Sequence, residues 1–588
     1  MVQHAEAPAA LCSRERQSLA VTGLRLAKVI DVNPVRCINC HACIMACPVK
    51  FCNNGSGNHV EINPDLCIGC GSCVDACTHG ARVIVDDLEA FLEALGKGQK
   101  LVAIVAPAVA ANFPRTYLRL NGWLRAMGVK AVFDVSFGAE LTVKTYLDYI
   151  QEKNPRTVIA QPCPAIVSYV EIYRPDLLPY LAPADSPMLH TIKMAKRFYT
   201  EYTDAKVAII SPCAAKRREF DEIGLGDFNV TMKRLQEHFQ KNGINLGQFP
   251  ECDYDNSPAE RAVLFSTPGG LRETLERWSK DAAKATRKIE GVPTVYHYLD
   301  ELPQAIRKGK APLLVDCLNC EMGCNGGTAT LARSTGVDEI ESLISERAKE
   351  MKRKHLSAQA SDDDLQQKVL PSIDEFWEPN LYQRNYVNRS QNNCIKKPSE
   401  AEIARIYLDM KKKKKEDFLN CAACGYGSCE MMAIAIYNGL NRPQNCHKYQ
   451  EAMIIENAEQ RQEVLRQIMV EFSETVDGIL AITRDASSEA DSVDEMSNAI
   501  IRLSNQAQIL ALNAAIEAGR AGAAGAGFGV VADAVKEMSQ SVKLEASRIK
   551  PHTHKLNEAL AQVVKEVDRL SERVSRVFDH VKAEAEAA

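Results

Sequence analysis

Three cysteines fall within eight residues in the run Asp316-Cys-Leu-Asn-Cys-Glu-Met-Gly-Cys-Asn-Gly-Gly327: Cys317, Cys320 and Cys324. Thiolates this close repel one another and oxidise unless a cation holds them, so the run points to metal. Two more cysteines stand in Pro-bracketed segments, Gln161-Pro-Cys163-Pro164 and Ser211-Pro-Cys213-Ala-Ala-Lys216. Together the three segments predict one buried iron site assembled from distant loops.

The chain carries 21 cysteines in 588 residues. One group is Cys37-x2-Cys40-x2-Cys43-x3-Cys47-Pro48, and a second is Cys67-x2-Cys70-x2-Cys73-x3-Cys77. This is the two-cluster ferredoxin pattern, in which the fourth Cys of each run serves the other cluster. Three close thiols wrap three corners of a cubane, and the chain must travel further to reach the fourth. Cys37, Cys40, Cys43 and Cys77 are therefore expected on one 4Fe–4S cluster, and Cys67, Cys70, Cys73 and Cys47 on the other. The paired runs Ile38-Asn-Cys-His-Ala-Cys43 and Ile68-Gly-Cys-Gly-Ser-Cys73 suggest an internal duplication. A third group, Cys421-x2-Cys424-x4-Cys429-x16-Cys446, reads as a further 4Fe–4S module, with zinc as the rival for four thiolates. Five cysteines are left over: Cys12, Cys52, Cys252, Cys317 and Cys394. All but Cys317 read as bystanders.

These groups need a scaffold. The length suggests roughly three to five domains. With 71 basic and 76 acidic residues the net charge is −5, which argues against a nucleic-acid partner. No apolar run reaches the ~18 residues of a membrane span, and Met1–Arg25 lacks the apolar core of a secretory signal. A cysteine-rich chain without such a signal is expected in a reducing cytoplasm, with metal clusters in place of disulfides. Between Leu101 and Ala348, strand-like runs alternate with helical stretches: Leu101–Ala106, Thr157–Ala160, Val207–Ser211 and Ala262–Ser266. This predicts an α/β domain with buried strands, its metal-ligand loops at strand carboxyl ends.

The central region resembles the FeFe hydrogenases. The resemblance covers about 250 residues plus the ferredoxin-like domain, and rests on three ordered signatures. They are Pro162-Cys163-Pro164, Ser211-Pro-Cys213-Ala-Ala-Lys216-Arg-Arg-Glu219 and Cys320-Glu-Met-Gly-Cys324-Asn-Gly-Gly. It implies a 4Fe–4S subcluster on Cys163, Cys213, Cys320 and Cys324. Cys324 would bridge to a diiron subsite carrying CO, cyanide and a dithiolate amine, installed by hydrogenase maturation enzymes. Lys216 would hydrogen-bond one cyanide, and Ala106, Pro107 and Ala108 match the loop near the other. H2 and protons would be the reactants, and a ferredoxin-like carrier the electron partner.

The chain also departs from that family. Pro162 stands where the family has a proton-passing cysteine. After Phe133-Asp-Val-Ser-Phe137-Gly-Ala-Glu140-Leu-Thr142, the positions of two proton-carrying glutamates fall at Tyr146 and Tyr149. Leu318 replaces a methionine beside the subsite, and Met188 replaces a second polar contact. A tyrosine, with a pKa near ~10, is a poor shuttle at neutral pH. Slow turnover is the expectation. Two readings stand for Cys317: a substitute proton donor, or a packed bystander.

From about Ala452, a series at alternating steps of three and four runs Leu465, Ile468, Phe472, Thr475, Ile479, Ile482, Ala486, Glu489, Val493, Met496, Ile500, Leu503, Ala507, Leu510 and Ala514, apolar at all but Thr475 and Glu489. This predicts a long antiparallel helical hairpin, tip near Ala523–Ala526, with Pro551 kinking or breaking the return arm. The tip run Leu510–Asp533 resembles the signalling tip of methyl-accepting chemotaxis receptors, although Ala523 and Ala526 stand where that family has Glu and Arg. A homodimer through the hairpin and a signalling partner are implied. Lys411–Lys415 reads as a solvated face or as a dock for an acidic electron carrier. Ser361–Gln367 and Asn380–Ser399 read as irregular linker.

The expected fold is multidomain. It comprises an N-terminal segment (1–25), an α+β two-cluster ferredoxin-like domain (26–98) and an α/β hydrogenase-like domain (99–385). A small iron–sulfur module (386–450) and an α-helical antiparallel coiled-coil hairpin (451–588) follow. The expected function is a hydrogen-sensing FeFe hydrogenase with slow H2 oxidation and proton reduction. The alternatives are a working ferredoxin-linked hydrogenase and a non-enzymatic iron–sulfur assembly protein on the same fold.

Overall fold

A computed structural model describes residues 25–355 and 362–587, with side chains described over 25–355 and 369–583. Cys12, Ser361 and nearly all of the N-terminal segment lie outside the described residues. The chain forms two compact units that divide between Gln450 and Glu451.

In the first unit, the ferredoxin-like part pairs strands Ile30–Val32 and Arg82–Ile84 antiparallel around two one-turn helices, Ala42–Met45 and Ser72–Asp75. Its two halves repeat in the backbone: Asn39 and His41 take left-handed conformations, as Gly69 and Gly71 do. Each cysteine run therefore bends at the same two points, whatever its side chains.

The hydrogenase-like domain is built on two parallel sheets. One orders its strands Val132–Asp134, Leu101–Val105, Lys206–Ser211, Phe228–Thr231. The other orders Thr286–Glu290, Leu314–Leu318, Val158–Ile159. Leu101–Val105 and Leu314–Leu318 are buried at every position, as expected of strands covered on both faces. One core lies around the first sheet, including Trp123, Phe133 and Ile209. A second joins Val49, Leu66 and Ile68 of the ferredoxin-like part to Ile159, Tyr169 and Leu299 of the other sheet. A third joins Val29, Ile44 and Val60 to Ile406, Tyr426 and Met432 of the module with the third cysteine group. The ferredoxin-like part is thus the middle layer, packed on one side by the hydrogenase-like domain and on the other by that module.

Three expectations about local structure are corrected. Ala262–Ser266 is a 3-10 helix, not a strand. The buried Glu140 carboxylate accepts the backbone N–H groups of Glu260, Arg261 and Ala262 through one oxygen, at 3.2, 3.1 and 3.0 Å. Three successive amides can meet one atom only if the chain coils. Residues 362–367 belong to the helix Asp362–Glu375 rather than to a linker. Asn380–Ser399 is irregular apart from the turn Ser390–Asn392.

The third correction concerns the hairpin. Helices His447–Arg520 and Ala526–Ala587 are joined by the turn Gly522–Gly525, and the second runs unbroken through Pro551. The opposite arm holds that stretch in place: Ser497 Oγ donates to the Ala546 carbonyl at 2.6 Å, and Asn557 Nδ2 to Asp491 Oδ1 at 2.7 Å. The buried seam consists of small residues at heptad spacing, Thr483, Ala490, Ser497, Ser504, Ala511 and Ala518, facing Ala532, Ser539, Ala546 and Thr553. The large apolar residues of the expected seam flank it and are exposed, Ile482 at 71%, Leu503 at 63% and Leu510 at 68%. Two helices have one shared seam, and here small side chains fill it so that the backbones approach closely.

Gly71 illustrates how tightly the layers meet. Its φ is +82°, and a Cβ there would lie 2.0 Å from Thr328 Cγ2 of the hydrogenase-like domain. Gly71→Ala is expected to destabilise by roughly 2–4 kcal/mol, combining backbone strain with a clash. Thermal melts check this, and adding Thr328→Ala should recover part of the loss.

Candidate metal centre

The carboxyl ends of the two sheets deliver the cysteines. Cys163 follows Val158–Ile159 and caps helix Pro164–Tyr173, whose first residue is the proline best suited to that place. Cys213 follows Lys206–Ser211; its amide donates to Ser211 Oγ at 3.1 Å, and its carbonyl accepts from Asn229 Nδ2 at 3.2 Å. Lys216 opens helix Lys216–Ile223. Cys320 and Cys324 follow Leu314–Leu318.

These residues line one cavity with about 500 Å³ of empty space: Cys163, Cys213, Cys320 and Cys324, with Pro162, Met188, Lys216 and Leu318. Among the described residues, no His, Cys, Asp or Glu group of three or more is gathered as for a single ion. The four cysteines lie on the wall of one cavity. Burial pushes the Cys213 thiol up to about 11, Cys320 up to about 12 and Cys324 well above the ordinary range, while Lys216 pulls Cys213 and Cys324 back. Metal binding at this site must therefore displace protons. Apart from cysteines, Lys216 is the one titratable group among the described lining residues.

The other predicted residues fall elsewhere. Ala106, Pro107 and Ala108 are buried after strand Leu101–Val105 but do not line the cavity; the Pro107 carbonyl accepts from Arg347 Nη1 at 3.0 Å. Tyr146 is buried with its hydroxyl donating to Gln161 Oε1 at 2.8 Å, and burial raises its pKa. Tyr149 is half-buried, and neither tyrosine reaches the cavity wall. Cys317 lies within strand Leu314–Leu318, fully buried, its Sγ 3.6 Å from the Ala160 carbonyl. Burial holds its thiol protonated. This is the placement of a packed thiol, and Cys317 does not line the cavity.

In the ferredoxin-like part, the structure brings Cys47 beside Cys67, Cys70 and Cys73 and gathers Cys43 with Cys37 and Cys40. Cys70 also lines the central cavity. Asn319 ties the two sites together: its Nδ2 donates to the Cys70 carbonyl at 3.1 Å and approaches Cys320 Sγ at 3.5 Å. Tyr296 holds the Asn319 oxygen at 2.7 Å. Cys421, Cys424, Cys429 and Cys446 line a separate cavity of about 320 Å³ with Lys412 and Lys448. Cys429 opens helix Cys429–Tyr437. Lys50 Nζ staples this module to the ferredoxin-like part, donating to the Met45 and Gly425 carbonyls at 2.8 and 3.3 Å. Within the lysine run, Lys412 is buried at the cavity, while Lys413, Lys414 and Lys415 are exposed.

Several groups at these sites gave no signal in the sequence. Cys52 Sγ lies 3.6 Å from Cys47 Sγ, among the ligands of the second group. Arg82 Nη2 donates to Cys43 Sγ at 2.9 Å. A lone cysteine and a strand arginine look ordinary until the fold closes.

The comparisons with known proteins agree with this layout. Residues 99–328 match the family described as iron only hydrogenase large subunit, C-terminal domain. Residues 455–588 match the methyl-accepting chemotaxis protein signalling domain, and residues 60–83 the 4Fe–4S binding domain. The chain therefore joins a ferredoxin-like module, an iron-only hydrogenase domain and a chemotaxis signalling domain. Iron hydrogenase 1 of Clostridium pasteurianum is 27% identical over 180 residues, 27% of this chain and 31% of that protein. Methyl-accepting chemotaxis protein McpP of Pseudomonas putida is 35% identical over 111 residues, 19% of this chain and 20% of that protein. Protein NAR1 of Arabidopsis thaliana is 20% identical over 335 residues, 44% of this chain and 71% of that protein. The chain thus spans less than a third of the length of the first two relatives. A Chlamydomonas reinhardtii FeFe-hydrogenase variant aligns over 52% of this chain and all of its own, at 19% identity and a TM-score of 0.37. Among the described residues, no helix is long and apolar enough to cross a membrane.

Asp316, on the strand leading into Cys320, is buried with one oxygen lacking a partner, and burial pushes its carboxyl up to about 7. Unfolded, it ionises near 3.8. Between those values the fold retains a proton that the unfolded chain has lost. Its stabilising contribution is full below the unfolded pKa and disappears as pH rises through about 7. Asp316→Asn should flatten the pH dependence of thermal stability across that window and raise stability at about pH 8 by roughly 2–4 kcal/mol.

Proposed function

We propose that the protein is a hydrogen-responsive FeFe hydrogenase of low turnover, working in the cytoplasm, whose cluster state biases its C-terminal hairpin. The observation that carries this reading is the cavity itself: four thiols of the hydrogenase-like domain gathered with Lys216, the one titratable side chain apart from cysteines among the described lining residues. In this reading Cys163, Cys213, Cys320 and Cys324 hold a 4Fe–4S subcluster, and Cys324 bridges to a diiron subsite with CO, cyanide and a dithiolate amine. That cofactor, placed by maturation enzymes, supplies heterolytic cleavage of H2. The protein's part is to bind and orient it, to offer Lys216 as a donor and to keep water out with Pro162, Met188 and Leu318.

Electrons would pass to the ferredoxin-like part, where Asn319 Nδ2 touches both the Cys70 carbonyl and Cys320 Sγ. Two clusters sit there, one on Cys47, Cys67, Cys70 and Cys73 and one on Cys37, Cys40, Cys43 and Cys77. A fourth cluster sits on Cys421, Cys424, Cys429 and Cys446. Proton transfer would be slow, because among the described lining residues Lys216 is the one titratable side chain apart from cysteines.

Infrared spectroscopy of protein matured with hydrogenase assembly enzymes tests the reading. Bands from CO and cyanide are expected; none on iron-replete protein would favour the iron–sulfur assembly alternative. Pro162→Cys should raise H2 oxidation at least roughly tenfold by returning a proton carrier, given that such groups contribute about 10²–10⁴. Wild-type turnover at the rate of a fast hydrogenase would favour the ferredoxin-linked catalytic alternative instead.

The hairpin pairs with a second copy in this reading. Leu503, Leu510, Val531 and Met538 are 60–68% exposed in one hairpin, and two hairpins packed as a four-helix bundle bury them. Leu503→Asp with Met538→Asp should turn a dimer into a monomer, read as a halved mass by light scattering.

A further inference from the structure

Residues 382–392 span the end of the hydrogenase-like domain and form a strap pinned at several points. The Asp185 amide donates to the Tyr382 carbonyl at 2.8 Å, and Tyr386 hydroxyl to the Ala182 carbonyl at 2.8 Å. The Arg389 amide donates to the Glu171 carbonyl at 2.9 Å, and Asn392 Nδ2 to the Asp65 carbonyl of the ferredoxin-like part at 3.2 Å. Just beyond, Lys396 and Asn438 exchange two hydrogen bonds, both 2.9 Å, which tie the segment to the third cysteine module.

Two buried arginines on this strap complete a chain of charges that starts at the cavity. Lys216 Nζ, on the cavity wall, lies 2.6 Å from Glu219 Oε2. Arg384 takes the other oxygen of Glu219 at 2.9 Å and reaches Glu222 at 2.9 Å. Arg389 bridges Glu222 and Glu171, both at 3.0 Å. Three cations alternate with three carboxylates, and Glu222 is the most exposed member, its side chain 21% accessible. Glu219 is almost wholly buried, so it depends on both of its cations. An ammonium has three N–H donors, and Glu219 engages one. An anionic group arriving in the cavity beside Lys216 draws Nζ away from Glu219. Glu219 then rests more heavily on Arg384, and the strap is held more firmly.

We propose that Arg384 is a positioning residue for Lys216, and that the strap registers an anionic ligand in the cavity through the series Lys216, Glu219, Arg384. This rests on the reading of the cavity as a diiron site and goes beyond it, because it names the route by which occupancy reaches the neighbouring modules.

The test is hydrogen exchange on the full-length protein, its 4Fe–4S clusters loaded, with and without the diiron subsite. Peptides covering 382–392 should exchange about fivefold more slowly, or slower still, when the subsite is present. Arg384→Gln should abolish that slowing and shift the cyanide infrared bands, and Arg384→Lys should restore the bands in part. Equal iron content marks a folded variant; should Arg384→Gln lose iron, Glu222→Gln carries the same comparison from the exposed end. Strap exchange indifferent to the subsite, or cyanide bands unmoved in Arg384→Gln, would overturn the proposal alone. Wild-type protein with no cyanide bands would overturn the diiron reading and this proposal with it.

Discussion

Burial raises the pKa values of the Cys213, Cys320 and Cys324 thiols on the wall of one cavity, and the cysteines that meet there come from two different sheets. Cys213 and Lys216 stand at the end of the first sheet, Cys163, Cys320 and Cys324 at the ends of the second. The relative placement of the two sheets decides whether these thiols meet, and the surrounding parts follow from it. The ferredoxin-like part lies against the second sheet through a shared core, so Cys70 lines the same cavity. Asn319 stands between them with its amide on both sides. The third cysteine module packs on the ferredoxin-like part through a separate core that also takes in Ala214.

Much of this was legible from cysteine spacing alone. Spacings of two, two and three place thiols around a cubane whatever the intervening residues, so the ferredoxin-like groups declare themselves. The strands before Cys163 and Cys213 were legible as well, because buried parallel strands are continuous apolar runs. Ala262–Ser266 has the same composition and is helical, because a carboxylate 120 residues away collects its amides. Composition carries no trace of that partner. Cys317 was ambiguous for a similar reason: period-two alternation along the strand decides which face a side chain takes, and strand pairing fixes which face meets the cavity. The ion chain through Arg384 was invisible, since it joins residues far apart in a segment that reads as linker.

The hairpin shows a different kind of limit. Its helical repeat was plain, but the repeat marks an apolar stripe without saying which residues meet inside one hairpin. Small residues occupy the internal seam, and the large ones remain outside. A stripe wider than one seam serves two interfaces, and sequence periodicity merges them. Pro551 misled because a helix supported along its length by a partner arm tolerates one missing hydrogen bond.

Coupling requires that the hairpin favour one of two states by different amounts as the cluster changes, with roughly 1–3 kcal/mol sufficing for a regulatory response. The most direct measurement is hydrogen exchange in residues 451–587 of the matured, full-length protein under H2 and under argon. The account predicts different protection in the two gases, lost when Cys324→Ala removes the bridge to the diiron subsite. Identical protection under both gases, on protein whose infrared bands respond to H2, would contradict it.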